Sequence, residues 1–487
     1  MADRSRPPIA MRRFLLAVLL LLPAAVLAEP PQQQWFTALL DGRKIGQLEA
    51  GRTLRDGTVH TTQRMALVLD RAGSRVTMES ASEAVETPAG APLSFANASR
   101  LSGSATRIDG TVAGGNATVR ISGDHVDQVR QVPWPAGALL PEGLRLASLR
   151  AGLTPGTRYT ALAFQDLTLD AIEITTVVGP RERVDLPGGA RELVRLAQTL
   201  HFPGAPVATT AWVDEDLTAW KFIMPVLGAD LTLLACERAC AEAPNQTSDL
   251  FERLLMKSPR PLMPAELGDG LRYTLAARNG DAARLALPQT AEQRSERQDG
   301  RWRVEIRRDA GTGGGPAPVA ADRAANDWLQ SGAPEIVALA RRGAGAGGDA
   351  AVRMQRLEGF VRGFITTKSL GVGYASALEV ARKPEGDCTE HAVLLAALAR
   401  ADGIAARVVT GLAYAPGFAG TRDAFVPHAW VQAWTGDRWR SYDAALDGFD
   451  AGHIALAVGD GDPWRFYAGL DTLGNLVLEA VEPVASR

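Results

Sequence analysis

The sequence predicts a multidomain chain in which a long, mainly antiparallel β region precedes a C-terminal domain of different character. Three observations carry this expectation. Asp-Gly pairs recur at Asp41-Gly42, Asp56-Gly57 and Asp109-Gly110, between short stretches rich in Val, Thr, Leu and Ile, which is how hairpins are punctuated. A break rich in Gly and Pro follows at Gly311-Thr312-Gly313-Gly314-Gly315-Pro316, where flexible residues mark a boundary. Beyond it the apolar period becomes helical.

The chain has 487 residues, more than one hydrophobic core supports, which calls for roughly two to four domains. Its 46 % apolar and 22 % charged residues fit a globular protein. A net charge of −3 offers no basic field, so no nucleic acid is implied as partner. Arg12 and Arg13 precede an apolar run from Phe14 to Leu22, then Pro23 and the small-residue stretch Ala24-Ala25-Val26-Leu27-Ala28. That pattern is a signal peptide, residues 1–28, cleaved near Ala28, with Met11 as a second candidate start. The run falls short of the ~20 residues a spanning helix needs, and no Cys follows it to carry a lipid. The expected mature chain has no transmembrane segment and is periplasmic or secreted.

From 29 to 255 the sequence reads as a β-rich region. Thr58-Val59-His60-Thr61-Thr62-Gln63-Arg64-Met65-Ala66-Leu67-Val68-Leu69 alternates in part with period two, as a strand with one wet face does. A short β-rich segment, 256–310, ends in Trp302-Arg303-Val304-Glu305-Ile306. This half carries no recognisable chemistry and reads as a packing or binding module. Cys236 and Cys240 lie four apart and form either a local disulfide or two small buried residues. Cys388 is left over. No Cys/His group has zinc-site spacing, so neither a metal nor a cofactor is expected.

Residues 311–322 read as a linker and 323–487 as the C-terminal domain. Leu357, Phe360, Val361 and Phe364 fall on one helical face, with Asp349 as N-cap. Ser376-Ala377-Leu378-Glu379 has the capping-box form. Lys383-Pro384-Glu385-Gly386 then breaks the chain before Asp387-Cys388-Thr389-Glu390. There Asp387 can cap and Glu390 can reach back, so Cys388 opens a helix that is apolar nearly all round and ends at Gly403. A helix start favours a thiolate, against a free-thiol pKa near ~8.5.

Pro427 to Asp443 reads as a hairpin turning at Gly436-Asp437. Pairing Thr435 with Arg438 sets Trp434 opposite Trp439 and leaves His428 and Asp443 as diagonal neighbours on one face. An imidazole beside a carboxylate, in a chain with an unexplained helix-start Cys, fits either a thiol nucleophile with its base and orienter or a small buried Cys and a structural His of the core.

Gly386-Asp387-Cys388-Thr389-Glu390-His391-Ala392, Ala399 to Ile404, Ala406 to Gly411, His428-Ala429-Trp430 and Tyr442-Asp443 together resemble the core of the transglutaminase-like superfamily. The resemblance covers roughly residues 350–450. It implies a papain-like α+β domain with Cys388 as nucleophile, His428 as base and Asp443 as orienter, acting on a protein or peptide substrate through a thioester. Ala444-Ala445 after the aspartate departs from the family's frequent Pro-Thr. His391 belongs to the motif without a catalytic role. Tyr374 and Trp430, with Trp434 and Trp439, are candidates to line an acyl cleft or else belong to the core. Gly411 to Pro427 is a candidate substrate loop. The competing reading is a non-catalytic fold for envelope protein partners, with the β-rich region as the binding part.

Overall fold

The computed structural model describes residues 32–484 apart from 72–73, 102–103, 124–125, 167–168, 203–205, 227–228, 247–253, 278–286, 308–314, 327, 370–373, 462–472 and 474–475. The expected signal peptide and most of the Gly-rich break lie outside the described residues. The chain divides into an N-terminal unit built on 12–70 and 75–248 and a C-terminal unit built on 249–487. No described helix is long and apolar enough to cross a membrane.

Period-two alternation builds the N-terminal unit. Along Asn116–Gly123 it buries Ala117, Val119 and Ile121 and exposes the residues between them. Such strands form one 15-stranded sheet. Within each of its two runs neighbours in sequence pair antiparallel, except that the short strand Ala138–Leu139 pairs parallel with Arg158–Gln165, and Gln32–Leu40 pairs with Ala229–Cys236 to join the runs. The stretch that opens at Arg191 is a strand, Arg191–His201. Cys236 ends its strand and is disulfide-bonded to Cys240 in the short helix Arg238–Ala241, with 6.0 Å between the Cα atoms. That resolves the alternatives left open for this pair.

The C-terminal unit holds two antiparallel sheets, a short parallel pairing of Thr367–Lys368 with Glu385–Gly386, and a helical layer. The strands of the two antiparallel sheets are β1 (Met256–Lys257), β2 (Leu271–Ala277), β3 (Gln293–Gln298), β4 (Arg301–Ile306), β5 (Ala406–Phe418), β6 (Thr421–Thr435), β7 (Arg438–Tyr442), β8 (His453–Gly459) and β9 (Leu476–Pro483). Its main helices are α1 (Pro334–Ala344), α2 (Ala350–Phe364), α3 (Ala377–Arg382) and α4 (Cys388–Ala401). One sheet pairs β8 with β5 and β5 with β6, while β1 and β7 both pair with β6. The other runs β3-β4-β2-β9. Helix α4 packs on β6 and β5, with α1, α2 and α3 beside it.

Two expectations about organisation need correction. The 256–310 segment is built into the C-terminal unit: β1 pairs with β6 and β2 pairs with β9, so the Gly/Pro break falls inside a unit. Gly411 to Pro427 is no loop either. Strands β5 and β6 pair continuously from Ala406↔Ala433 out to Phe418↔Thr421. Gly411 is required there by close approach, since a Cβ would run into the Ile454 carbonyl oxygen and come within 2.9 Å of the Trp430 ring.

Candidate active site

The head of α4 is built as its sequence pattern demands. Asp387 caps it, its Oδ1 accepting from Thr389 N at 2.9 Å, and Glu390 Oε2 accepts from Asp387 N at 2.9 Å to complete the box. Gly386 precedes it at φ 155°, where a side chain would collide with Glu390. Burial pushes the Glu390 carboxyl up to about 8, the Asp387 carboxylate adding to it and hydrogen bonds from Asp387, Ala375 and Thr389 opposing it. From Gly386 through Arg400 every residue is buried except Cys388, which is half-buried. The thiol is thus the one point at which this helix start reaches the surface.

His428 lies on β6, the strand against which α4 packs. β1 pairs with β6 at Ala424 and Phe425, and β7 pairs with it from Val431 onward. Among the described residues no strand covers that side of β6 from Val426 to Trp430. Pro427 sits in this gap, and proline in a sheet belongs on such an edge. The β6–β7 register matches the expectation, with Trp434↔Trp439 and Thr435↔Arg438. Gly436 turns at φ 77°.

Asp443 follows β7 directly and is fully buried. Its Oδ2 lies 2.7 Å from His428 Nε2 and 3.0 Å from His453 Nε2. Its Oδ1 accepts from Ala445 N at 2.8 Å and Leu446 N at 3.1 Å. From α2, Glu358 Oε1 accepts from Asp443 N at 2.7 Å and Arg362 donates to the Asp443 carbonyl oxygen at 3.0 Å. Burial opposes the charge on Asp443, yet the two imidazoles hold its carboxyl well below the usual carboxylate range. The same burial works against a charged His453, but hydrogen bonds to Asp443 and Asp450 outweigh it and raise that imidazole to about 9.

His428, Asp443 and His453 have the composition of a metal site, their ligand atoms lying within 4.8 Å of one another. Oxygen-to-nitrogen distances of 2.7 and 3.0 Å are those of hydrogen bonds. Tetrahedral ligands held about 2.0–2.2 Å from a zinc ion would stand roughly 3.3 Å apart. The group is read as a hydrogen-bonded His-Asp-His cluster.

One cation links the two halves of the site. Lys368 donates from Nζ to His391 Nε2 at 2.9 Å, and His391 Nδ1 donates to the Asp387 carbonyl oxygen at 2.5 Å. Burial drives His391 down to about 4, so this ring is neutral and structural. Burial also lowers Lys368, while Asp443 and Cys388 act on its ammonium in the opposite direction.

The aromatic candidates need correction. Tyr374 is 2 % exposed, packs edge-on against Trp328 and donates its hydroxyl to the Gly461 carbonyl oxygen at 2.9 Å. Among the described residues it is a buried side chain with its hydroxyl satisfied. Trp430, also 2 % exposed, stacks on His428 at 6.2 Å and presents an edge to His453 at 5.2 Å. It backs the imidazole from inside. Trp439 donates to the Pro316 carbonyl oxygen at 2.8 Å and carries the Arg407 guanidinium over its ring. Behind Trp430, Ser441 donates to the buried Glu292 through both its hydroxyl and its backbone N–H. Sequence reasoning missed His453, Lys368 and Glu292. Only His453 left a trace, in the Asp450-x-x-His453 spacing that closes its second hydrogen bond.

Residues 337–444 match the sequence profile of the Transglutaminase-like superfamily. No curated protein matches the chain. Among solved structures, a β-barrel-like protein of a domain of unknown function from Brucella abortus is similar at 11 % identity and TM-score 0.35, over 44 % of this chain and 98 % of its own. A candidate cysteine protease from Cytophaga hutchinsonii is similar at 15 % identity and TM-score 0.27, over 47 % of this chain and 86 % of its own. A candidate protease from Parabacteroides distasonis is similar at 10 % identity and TM-score 0.20, over 80 % of this chain and 69 % of its own. Cys388, His428 and Asp443 all fall within the matched profile, and residues 337–444 of this chain constitute a transglutaminase-like domain.

Proposed function

We propose that the protein is an exported thiol acyltransferase or peptidase acting on protein or peptide amide bonds, with Cys388, His428 and Asp443 as its catalytic triad. The observation that carries this reading is the buried His428–Asp443 hydrogen bond at 2.7 Å, on the strand against which the Cys388-headed helix packs. Because His428 spends Nε2 on Asp443, Nδ1 is the nitrogen that exchanges protons with thiol and substrate.

The Cys388 thiolate attacks the amide carbonyl and forms a C–S bond. Negative charge gathers on the carbonyl oxygen, where the Cys388 backbone N–H is the first donor. The C–N bond then breaks as His428 delivers its proton to the departing amine or ammonia, leaving a thioester. Water or a second amine, deprotonated by His428, releases the acyl group. Asp443 keeps the imidazole in one tautomer throughout. The Cys236–Cys240 bridge supports export, since disulfides persist in oxidising compartments.

Iodoacetamide labelling tests the reading. Cys388 is expected to alkylate fast near neutral pH, and His428→Ala to slow this roughly 10²-fold. With amide peptides and an amine, mass spectrometry should find a thioester in the native chain and none in Cys388→Ala. Equal labelling rates and no adduct would leave the domain as a non-catalytic binding fold.

A further inference from the structure

Asp443 binds a second imidazole for which the acyl-transfer chemistry has no use. Both ring nitrogens of His453 face carboxylate oxygens, Nε2 at 3.0 Å from Asp443 Oδ2 and Nδ1 at 3.0 Å from Asp450 Oδ1, the latter shorter than the 3.3 Å from Nδ1 to the Asp450 backbone N, which only a bare Nδ1 could accept from. An ionised carboxylate only accepts hydrogen bonds, so a single ring satisfies two of them only by carrying both N–H protons. The ring is 3 % exposed, and a buried cation persists only when paired in this way. It stands 5.6 Å from the His428 ring, centre to centre.

We infer that His453 is a standing imidazolium wedged between Asp443 and Asp450, a positioning residue that fixes the shared carboxylate and limits how much of its charge reaches His428. The inference rests on the reading of Cys388, His428 and Asp443 as an acyl-transfer triad. The ionisable groups around His453 are Asp443 after β7, Asp450 before β8 and His428 on β6, with Glu292 ahead of β3 also feeling its charge. Glu358 from α2 and Lys368 act on the same cluster through Asp443. Trp430 and Phe449 close the remaining sides. Asp443 is thereby clamped on both oxygens, to two imidazoles on one and to two backbone N–H groups on the other.

The test is the rate at which chloroacetate alkylates Cys388 in the full chain from about pH 5 to about pH 10. This anionic reagent is drawn to a thiolate–imidazolium pair and repelled by a bare thiolate, so its rate falls on the alkaline side. His453→Gln removes a cation beside the pair and should move that alkaline limb up by about one pH unit. Asp450→Asn keeps the ring but removes the anion that holds its second proton, so His453 turns neutral in the alkaline range and the limb should move the same way by less; this variant carries the test if His453→Gln fails to fold. A limb that stays in place while the rate falls at every pH overturns the inference. Nitrogen NMR of the native chain with labelled histidines, His453 being the ring perturbed in Asp450→Asn, should find both of its nitrogens protonated near neutral pH. A singly protonated ring overturns the inference as well. A native chain whose Cys388 alkylates like an ordinary thiol with no bell would sink the triad reading instead, and the NMR result would still decide the state of His453.

Discussion

Replacing Asp443 by Asn isolates what one buried carboxylate does for this domain. Four donors converge on it: His428 and His453 at 2.7 and 3.0 Å on Oδ2, Ala445 N and Leu446 N at 2.8 and 3.1 Å on Oδ1. If the amide oxygen keeps the two backbone donors, the NH₂ group confronts two imidazole N–H groups. His453 then retains only Asp450, whose side chain is 41 % exposed. Leaving a buried cation short of its partner costs about 3–5 kcal/mol. Loss of the correct His428 tautomer should lower thioester formation by about 10³–10⁴-fold. Urea unfolding followed by tryptophan fluorescence reads the first effect, and mass spectrometry of the acyl adduct reads the second. The pH dependence has a definite sign. Asp443 is held well below the ordinary carboxylate range, so its stabilisation is present above about pH 4 and lost as acid protonates it. The gap between native and variant should therefore narrow as pH falls. An Asn variant that unfolds at the native urea concentration and still forms the adduct at the native rate would refute the claim that Asp443 holds the two imidazoles.

Two further outcomes follow from the same geometry. Gly411→Ala drives a methyl into the Ile454 carbonyl oxygen and against Trp430; it should cost about 1–3 kcal/mol and slow Cys388 alkylation, because Ile454 adjoins His453. An unchanged thermal midpoint would remove the close-approach argument. Burial raises Glu292 to about 7 against the hydrogen bonds from Ser441, so its contribution is full below about pH 4.3 and declines as pH climbs through 7, by about 3 kcal/mol in total. Glu292→Gln should flatten that decline, and urea midpoints at about pH 5 and about pH 8 that differ equally in both chains would contradict it.

What could be read from the sequence was local. The capping residues Asp349, Ser376 and Asp387 stand where the pattern puts them, because a cap and its partner are only two or three residues apart. The hairpin register that joins His428 to Asp443 was legible because a two-residue turn leaves little choice. Gly411, Pro416, Gly417, Gly420 and Pro427 misled, since Gly and Pro signal loops. Here Gly411 answers a neighbouring backbone and Pro427 occupies a gap in the sheet. His453 and Glu292 could not be found, because each meets the site across pairings made by distant segments. Ser441 and Glu292, for example, are 149 residues apart.

The pairing of β2 with β9, from Leu271↔Pro483 to Ala277↔Leu476, has a consequence for how the domain comes into being. A ribosome delivers β2 some two hundred residues before its partner, and Gln293 waits almost as long for Ala455, the residue it brackets with two hydrogen bonds. Contacts of such long range make assembly slow. The helix headed by Cys388 is thus synthesised before β8 and β9, and a chain cut to begin at 323 would lose β1 to β4, with the first-made partners of β6 and β9.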